Sequence, residues 1–460
     1  MGRSKGAAAR RRKAAAAVRK ANGAPKISDA PKIPDAPKVK AQPPRPCPSL
    51  SPDLLANIHD RLGFLDRVAF AAVFATSCDE NLFLHAPWLV LPSNKRKTGR
   101  LFSIADQRGA TVPAPEPALR DHFVIGSARG WLATADIRGQ IYLVNPSTGE
   151  QHELPHMSTM GVFGPSSNYH NFSLNIKALL TIRYGHGPPF NDHYWGPEGH
   201  GTFSYTADQM RMWFYRKVVL SSSRARHGTY AAMLITEWKA GAPAFATAED
   251  RVWRLAPSHD GVEDAIHHDG QFYSVSYSGL VEAWERDAES GAYTSTVVAP
   301  RLAVEEHKEE YREPSCRKYL AASPGGRLMV VIKYPGHVVD DRYSQSRWSC
   351  AFKVHVLGDD GQWKETTDIG ELALFVGMNN SLCVRTIGCP RIKAGCVYYT
   401  DDERGAAEQR KQAYSSHEYS DYRAVGVYSL MDGTVKKIKA LGEEQPSFYE
   451  PPVWITPSIP

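Results

Sequence analysis

No apolar run approaches the ~18 to 20 residues a membrane helix needs, the longest uncharged apolar stretch being Val68–Ala75. No membrane partner is expected. The N-terminus has no apolar segment of the secretory kind. Cysteine is scarce: seven in 460 residues, an odd number with no CxxC pair, at 47, 78, 316, 350, 383, 389 and 396. That pattern fits reduced thiols in an intracellular protein and excludes a disulfide framework or a cysteine zinc site. Two sequons, at Asn171 and Asn379, then carry no meaning. Catalytic signatures are missing as well: no phosphate loop, no dinucleotide fingerprint, no H-E-x-x-H and no G-x-S-x-G. His186, His193 and His200, seven apart in a Gly/Pro-rich stretch, have neither the short spacing nor the rigid setting of metal ligands. Neither metal nor cofactor is expected, and with no nameable acid, base and nucleophile the chain reads as a non-enzyme.

A net positive charge is absent from the body. Residues 1–46 hold 13 Lys/Arg and 2 Asp, a net +11, whereas the rest holds 42 Lys/Arg and 47 Asp/Glu, a net −5. A nucleic-acid-binding fold would carry its basic footprint on the body, so no nucleic-acid partner is expected. The tail begins with Ala, Gly, Lys and Arg, including Arg10, Arg11, Arg12, Lys13, Arg19 and Lys20. It continues in a six-residue repeat, "APKISD", "APKIPD", "APKVKA", too poor in large apolar side chains to form a core. Residues 1–46 are therefore expected to be disordered. The basic clusters resemble a nuclear localisation signal, giving nucleus and cytoplasm. A mitochondrial or plastid transit peptide is the alternative, since no acid precedes Asp29, although the segment is poor in Ser and lacks Leu before Leu50.

A helical island follows. Ser51 suits an N-cap, Pro52 the first helical position and Asp53 the positive end of the helix dipole. Leu54, Leu55, Ile58 and Leu62 recur at helical spacing until Gly63. A second helix carries Leu65, Val68, Ala69, Ala72 and Val73, beside a ridge of Phe70 and Phe74. A short module cannot bury a helix that is apolar all round. One stripe can pack on the first helix; the other needs a separate protein or the edge of the neighbouring domain.

From about residue 98 the pattern changes to short β-branched and aromatic runs between turns such as "ARGW", "NPSTGE", "HDGQ", "SPGG" and "MDGT". "QIYLVN" and "RLMVVIKY" are apolar on both alternating sets, as in sheets stacked on sheets. About 355 residues at the ~40–50 residues of a blade predict a β-propeller of seven or eight blades. Residues 184–201, rich in Gly and Pro, read as a long surface loop whose Tyr184, Phe190, Tyr194 and Trp195 are the candidate target-binding residues, because Tyr and Trp anchor interfaces.

The order of several segments is similar to a known family. "LSPDLLANIHDRLGFLDRVAFAAVF" resembles the F-box pattern, and "PWLVLP", "GSARGWLATAD", "LVNPSTGE", "IHHDGQFYSVSYSGLVEAW", "YLAASPGGRLMVV", "GVYSLMDGTVKKI" and "PPVWITPS" resemble plant F-box proteins with a KIB-type β-propeller. Two features depart: Ser51 replaces the usual Pro, and Ser77-Cys78 stand where Trp-Arg often occurs. The resemblance implies a mainly β fold with a tail (1–46), an F-box-like helical module (47–92) and a propeller (98–460). It implies a substrate-recognition subunit of an SCF-type ubiquitin ligase, with an SKP-type adaptor and cullin as partners and an unknown protein target. The implied adaptor-binding residues are Leu50, Pro52, Leu54, Leu55, Ile58, Phe70, Val73 and Phe74. The alternative is a propeller interaction protein outside ubiquitination, with a degenerate F-box.

Overall fold

Turn chemistry cuts the chain into hairpins. Between β15 (Val262–His268) and β16 (Gln271–Ser276), Asp269 and Gly270 hold φ of +46° and +83°, the paired left-handed residues of a tight type I′ turn. In the computed structural model, the described residues are 51–74, 86–91, 98–119, 122–164, 171–184, 201–221, 230–236, 241–303, 316–340, 345–387, 389, 391–401, 425–438 and 451–456. The basic clusters of the tail, Leu50, and the loop residues Phe190, Tyr194 and Trp195 lie outside them.

Among the described residues two helices come first, α1 (Pro52–Arg61) and α2 (Phe64–Phe74). Seven sheets follow. Blade 1 holds β1 (Trp88–Leu91), β2 (Thr98–Ser103) and β3 (Arg108–Pro113); blade 2 holds β4 (Phe123–Ala128), β5 (Trp131–Ala135), β6 (Ile141–Val144) and β7 (Gln151–Leu154). A small sheet of β8 (Phe163–Gly164), β9 (Asn171–Asn175) and β10 (Thr202–Thr206) comes next, with α3 (Ile176–Tyr184) and α4 (Ala207–Trp213). Blade 3 is β11 (Tyr215–Leu220), β12 (Ala231–Thr236), β13 (Pro243–Thr247) and β14 (Arg254–Leu255). Blade 4 is β15, β16, β17 (Val281–Arg286) and β18 (Tyr293–Ala299). Blade 5 is β19 (Arg317–Ala322), β20 (Leu328–Asp340), β21 (Gln345–Leu357) and β22 (Trp363–Thr366). Blade 6 has β23 (Leu372–Val376), β24 (Leu382–Arg385), β25 (Cys396–Tyr399), β26 (Gly426–Ser429) and β27 (Val435–Lys437), with β23 parallel to β25. The chain then returns to blade 1, where β28 (Val453–Ile455) pairs antiparallel with β1 and closes the ring.

Shared cores set the order around that ring. Trp88, Leu101, Leu132 and Val144 join blades 1 and 2. Phe245 and Trp284 join 3 and 4; Val275 and Leu320 join 4 and 5; Val354 and Leu374 join 5 and 6; Phe375 and Trp454 join 6 and 1. Blades 2 and 3 meet directly, and a Cβ on Gly126 would strike the Val218 carbonyl, so only glycine allows that approach. The length-based count of seven or eight blades thus meets seven sheets, of which six form the ring. The described residues between 156 and 214 instead build the inserted small sheet and its helices, whose Leu174, Leu179 and Met210 join the core of blades 2 and 3. Propeller architecture agrees with the sequence reading. The module boundary shifts: Trp88–Leu91, placed with the helices on sequence grounds, is a blade strand because both β2 and β28 pair with it.

Three successive innermost strands carry a β-bulge, between Val124 and Gly126, Tyr215 and Lys217, and Val262 and Asp264. A bulge re-aims side chains, and here it turns four charged neighbours toward the axis. Buried Asp264 takes an ion pair from Lys217 of blade 3, the backbone N–H of Leu320 of blade 5 at 2.9 Å and the Ser381 hydroxyl of blade 6 at 3.3 Å. Glu263 receives Lys318 Nζ at 3.5 Å and Arg216 Nη2 at 3.5 Å. Burial pushes the Glu263 carboxyl above its usual value, against the charges of Lys318, Arg216 and Arg317.

Candidate functional site

The helical module is the feature that a propeller does not need, so its geometry matters most. Ser51 begins α1: its carbonyl accepts the N–H groups of Leu54 and Leu55, both at 3.0 Å, and its hydroxyl lies 3.4 Å from the Leu54 N–H. Gly63 separates the helices, and the Gly63 carbonyl accepts the Arg67 N–H at 2.8 Å in the first turn of α2.

One stripe of α2 packs on the propeller. Phe64 and Val68, each 3% exposed, join Trp88, Leu101 and Val112 of blade 1, with the Phe64 and Trp88 rings edge to face at 4.7 Å. Fully burying each of these side chains is worth ~1.5–3 kcal/mol. Between them Arg67 reaches the β2–β3 turn, where its two terminal nitrogens donate to the Asp106 carboxylate at 2.6 and 3.0 Å while Nε donates to the Leu62 carbonyl at 3.1 Å. Burial would raise the Asp106 carboxyl, but hydrogen bonds from Arg67 and Ser103 and the Arg67 charge hold it below its ordinary value. A carboxylate depressed in the fold stabilises it above the ordinary carboxylate range, and that contribution fades as pH falls through the depressed value. Asp106→Asn should therefore loosen the module by about 2 kcal/mol, the scale of a charge-assisted pair. Hydrogen exchange of the α2 amides reads this: faster exchange is expected in the variant at neutral pH, with wild type approaching the variant in acid.

Other faces of the module look outward. Leu54 is 47% exposed and Leu65 39% exposed; Ile58, Leu62 and Phe70 are half-buried, and Leu55 is buried. Pro52 opens α1, and Val73 and Phe74 end α2, with side chains outside the described residues. Sequence spacing had put Leu65 and Val68 on one stripe against α1. The structure splits them, Val68 to the propeller and Leu65 to solvent. It also adds Phe64 and Arg67, whose i, i+3, i+4 spacing with Val68 was visible, although the partner Asp106 carries no local signal.

Elsewhere Tyr184 ends α3, at the start of the proposed target loop. Half-buried His267 lies edge to face on Phe272 at 4.9 Å, and burial pushes its pKa down to about 4. Among the described residues no three His, Cys, Asp or Glu side chains converge as a metal site, and no helix is long and apolar enough to cross a membrane.

A family model described as the KIB1-4 β-propeller matches residues 101–429. The chain belongs to that family. A putative F-box protein of Arabidopsis thaliana is 20% identical over 409 residues, covering 85% of this chain and 89% of its own. An F-box protein of the same plant is 22% identical over 240 residues, covering 49% of this chain and 53% of its own. Among solved structures, U3-55K is 10% identical at a TM-score of 0.29, covering 60% of this chain and 77% of its own. The β-propeller domain of Cps50 (Swd1) from Myceliophteria thermophila is 9% identical at 0.27, covering 70% and 88%. The KIB1-4 propeller here starts before the matched segment, since β1 and the start of β2 precede residue 101 and β28 follows residue 429.

Proposed function

We propose that this chain is the substrate-recognition subunit of an SCF-type ubiquitin ligase. In this reading α1 and α2 dock an SKP-type adaptor, which joins the cullin, while the propeller holds the target and other subunits transfer ubiquitin. The carrying observation is the two-sided α2: Phe64, Arg67 and Val68 fix it to blade 1, while Leu65, with Leu54 of α1, stays apolar and exposed. A fixed helix pair with an unburied apolar face suits a docking element that must hold a target at a set distance from the ligase. The names of the F-box relatives support the same assignment. Tyr184, Phe190, Tyr194 and Trp195 remain the proposed target contacts, and the basic tail the proposed nuclear signal.

The burial of Phe64 and Val68 on blade 1 also favours a second reading, in which the helices are a cap on the propeller of an interaction protein outside ubiquitination. A quantitative pull-down of the full chain with purified SKP-type adaptor separates the two. Saturable binding is expected; no binding at any adaptor concentration overturns the first reading in favour of the second.

A further inference from the structure

The outermost strand of a blade is a sheet edge, with unpaired N–H and C=O groups that can template another strand. Five of the six ring blades blunt that edge. β3 carries Arg108 and ends at Pro113; β7 has four residues including His152 and Glu153; β14 has two residues, one of them Arg254. β22 carries Lys364 and Glu365 in four residues, and β27 is three residues with Lys436 and Lys437. In the inserted sheet β10 is uncharged, but α3 and α4 both pack against it, and its Tyr205 ring meets Trp213 at 4.6 Å.

β18 is longer than these edge strands and lacks their charges, with Pro300 only after its last residue. Its seven residues, YTSTVVA, hold no charge, and the whole stretch from Gly291 to Pro300 is uncharged. Thr294, Thr296, Val297 and Val298 are exposed, Val297 at 47%. From Tyr293 to Val297 the strand pairs with β17 without interruption, and only beyond it does β18 bulge, with Val298 the extra residue between the Glu282↔Val297 and Val281↔Ala299 pairs. The regular edge is therefore five residues long with Ser295 at its centre.

We propose that β18 pairs antiparallel with β18 of a second copy of this chain, about a two-fold axis at Ser295. That register sets Ser295 opposite itself, Thr294 opposite Thr296 and Tyr293 opposite Val297. Thr–Thr and aromatic–β-branched pairs are favourable cross-strand neighbours, and no like charges face each other anywhere in the stretch. A two-fold axis needs this kind of self-complementary patch, whereas an edge built for a charged partner would carry the opposite charge. Two blade 4 sheets would become one continuous sheet, and the dimer would present two propellers and two helical modules, raising avidity for a target with repeated sites. A five-residue edge buries much less than the ~1,200–2,000 Å² of a stable interface, so the dimer is weak and concentration-dependent.

Sedimentation equilibrium of the full chain tests this from about 10 μM to about 500 μM, where an interface of this size responds. Wild type should shift from monomer toward dimer across that range. Thr296→Lys, at an exposed position, should raise the dissociation constant at least about tenfold, one step of ~1.4 kcal/mol. Thr111→Lys, on the exposed side of β3, should leave it unchanged. Ser295→Cys should give a disulfide-linked dimer beyond any seen in wild type, because directly opposed residues lie ~4.5–5.5 Å apart at Cα, within disulfide reach. Monomer at every concentration overturns the proposal and leaves the edge to a strand from another protein. Self-association that Thr296→Lys does not weaken overturns the assignment to β18.

Discussion

Replacing Leu54 and Leu65 together by aspartate should remove the adaptor from co-purification while the propeller melts as before. Both side chains are largely exposed, so little internal packing is lost. Both also stand in the first turn of their helices, α1 and α2, where a carboxylate is favourable to the helix dipole. At an interface the balance reverses. Completing the burial of a half-exposed leucine is worth ~1 kcal/mol, half of its full transfer value. Burying an uncompensated carboxylate costs more than that lost gain. Two such changes should weaken adaptor binding by ~3 kcal/mol or more, over two decades in affinity at ~1.4 kcal/mol per decade. Titration of purified adaptor onto the immobilised full chain checks it. A variant that binds as well as wild type would show that the exposed leucines are not the docking face.

The two helices illustrate what the sequence could and could not carry. Helix start, helix break and apolar spacing were local, so α1 and α2 fell where Ser51, Pro52 and Gly63 put them. The choice of which stripe faces inward was not local. It depends on Trp88 and Asp106, 24 and 39 residues along the chain from Phe64 and Arg67, and no spacing rule reaches that far. Blade strands were legible from turn residues and two-sided apolarity, whereas ring size was not. Length counts strands only on average, and the described residues between 156 and 214 form an insertion with its own helices. The extended ladder of β20 and β21, running as far as Asp340↔Gln345, likewise lengthens blade 5 without adding a blade.

The axis was the least legible region, because Arg216, Lys217, Glu263 and Asp264 look like surface charges in the sequence. Only the bulges of β11 and β15 bring them together. Asp264→Ala should consequently be among the most damaging single changes in the chain. Lys217, fully buried, would lose its ion-pair partner, and the Leu320 N–H and Ser381 hydroxyl would lose an acceptor. Breaking one side of a buried pair costs ~3–5 kcal/mol, because the remaining charge has no solvent to turn to. For a chain of this length that corresponds to a fall in Tm of roughly 3–5 °C. Lys217→Met in the same background should recover part of the loss, since removing both charges takes away the buried ammonium that has lost the Asp264 carboxylate. Thermal melts of wild type, the two single variants and the double variant form the required cycle. Strictly additive losses would mean that Asp264 holds the blades through Leu320 and Ser381 alone. A strong positive coupling would mean that the Lys217 pair is what locks blade 3 to blade 4. Asp264 touches three other blades, so its removal should also broaden the transition, as blades 3, 5 and 6 lose their common tie to blade 4.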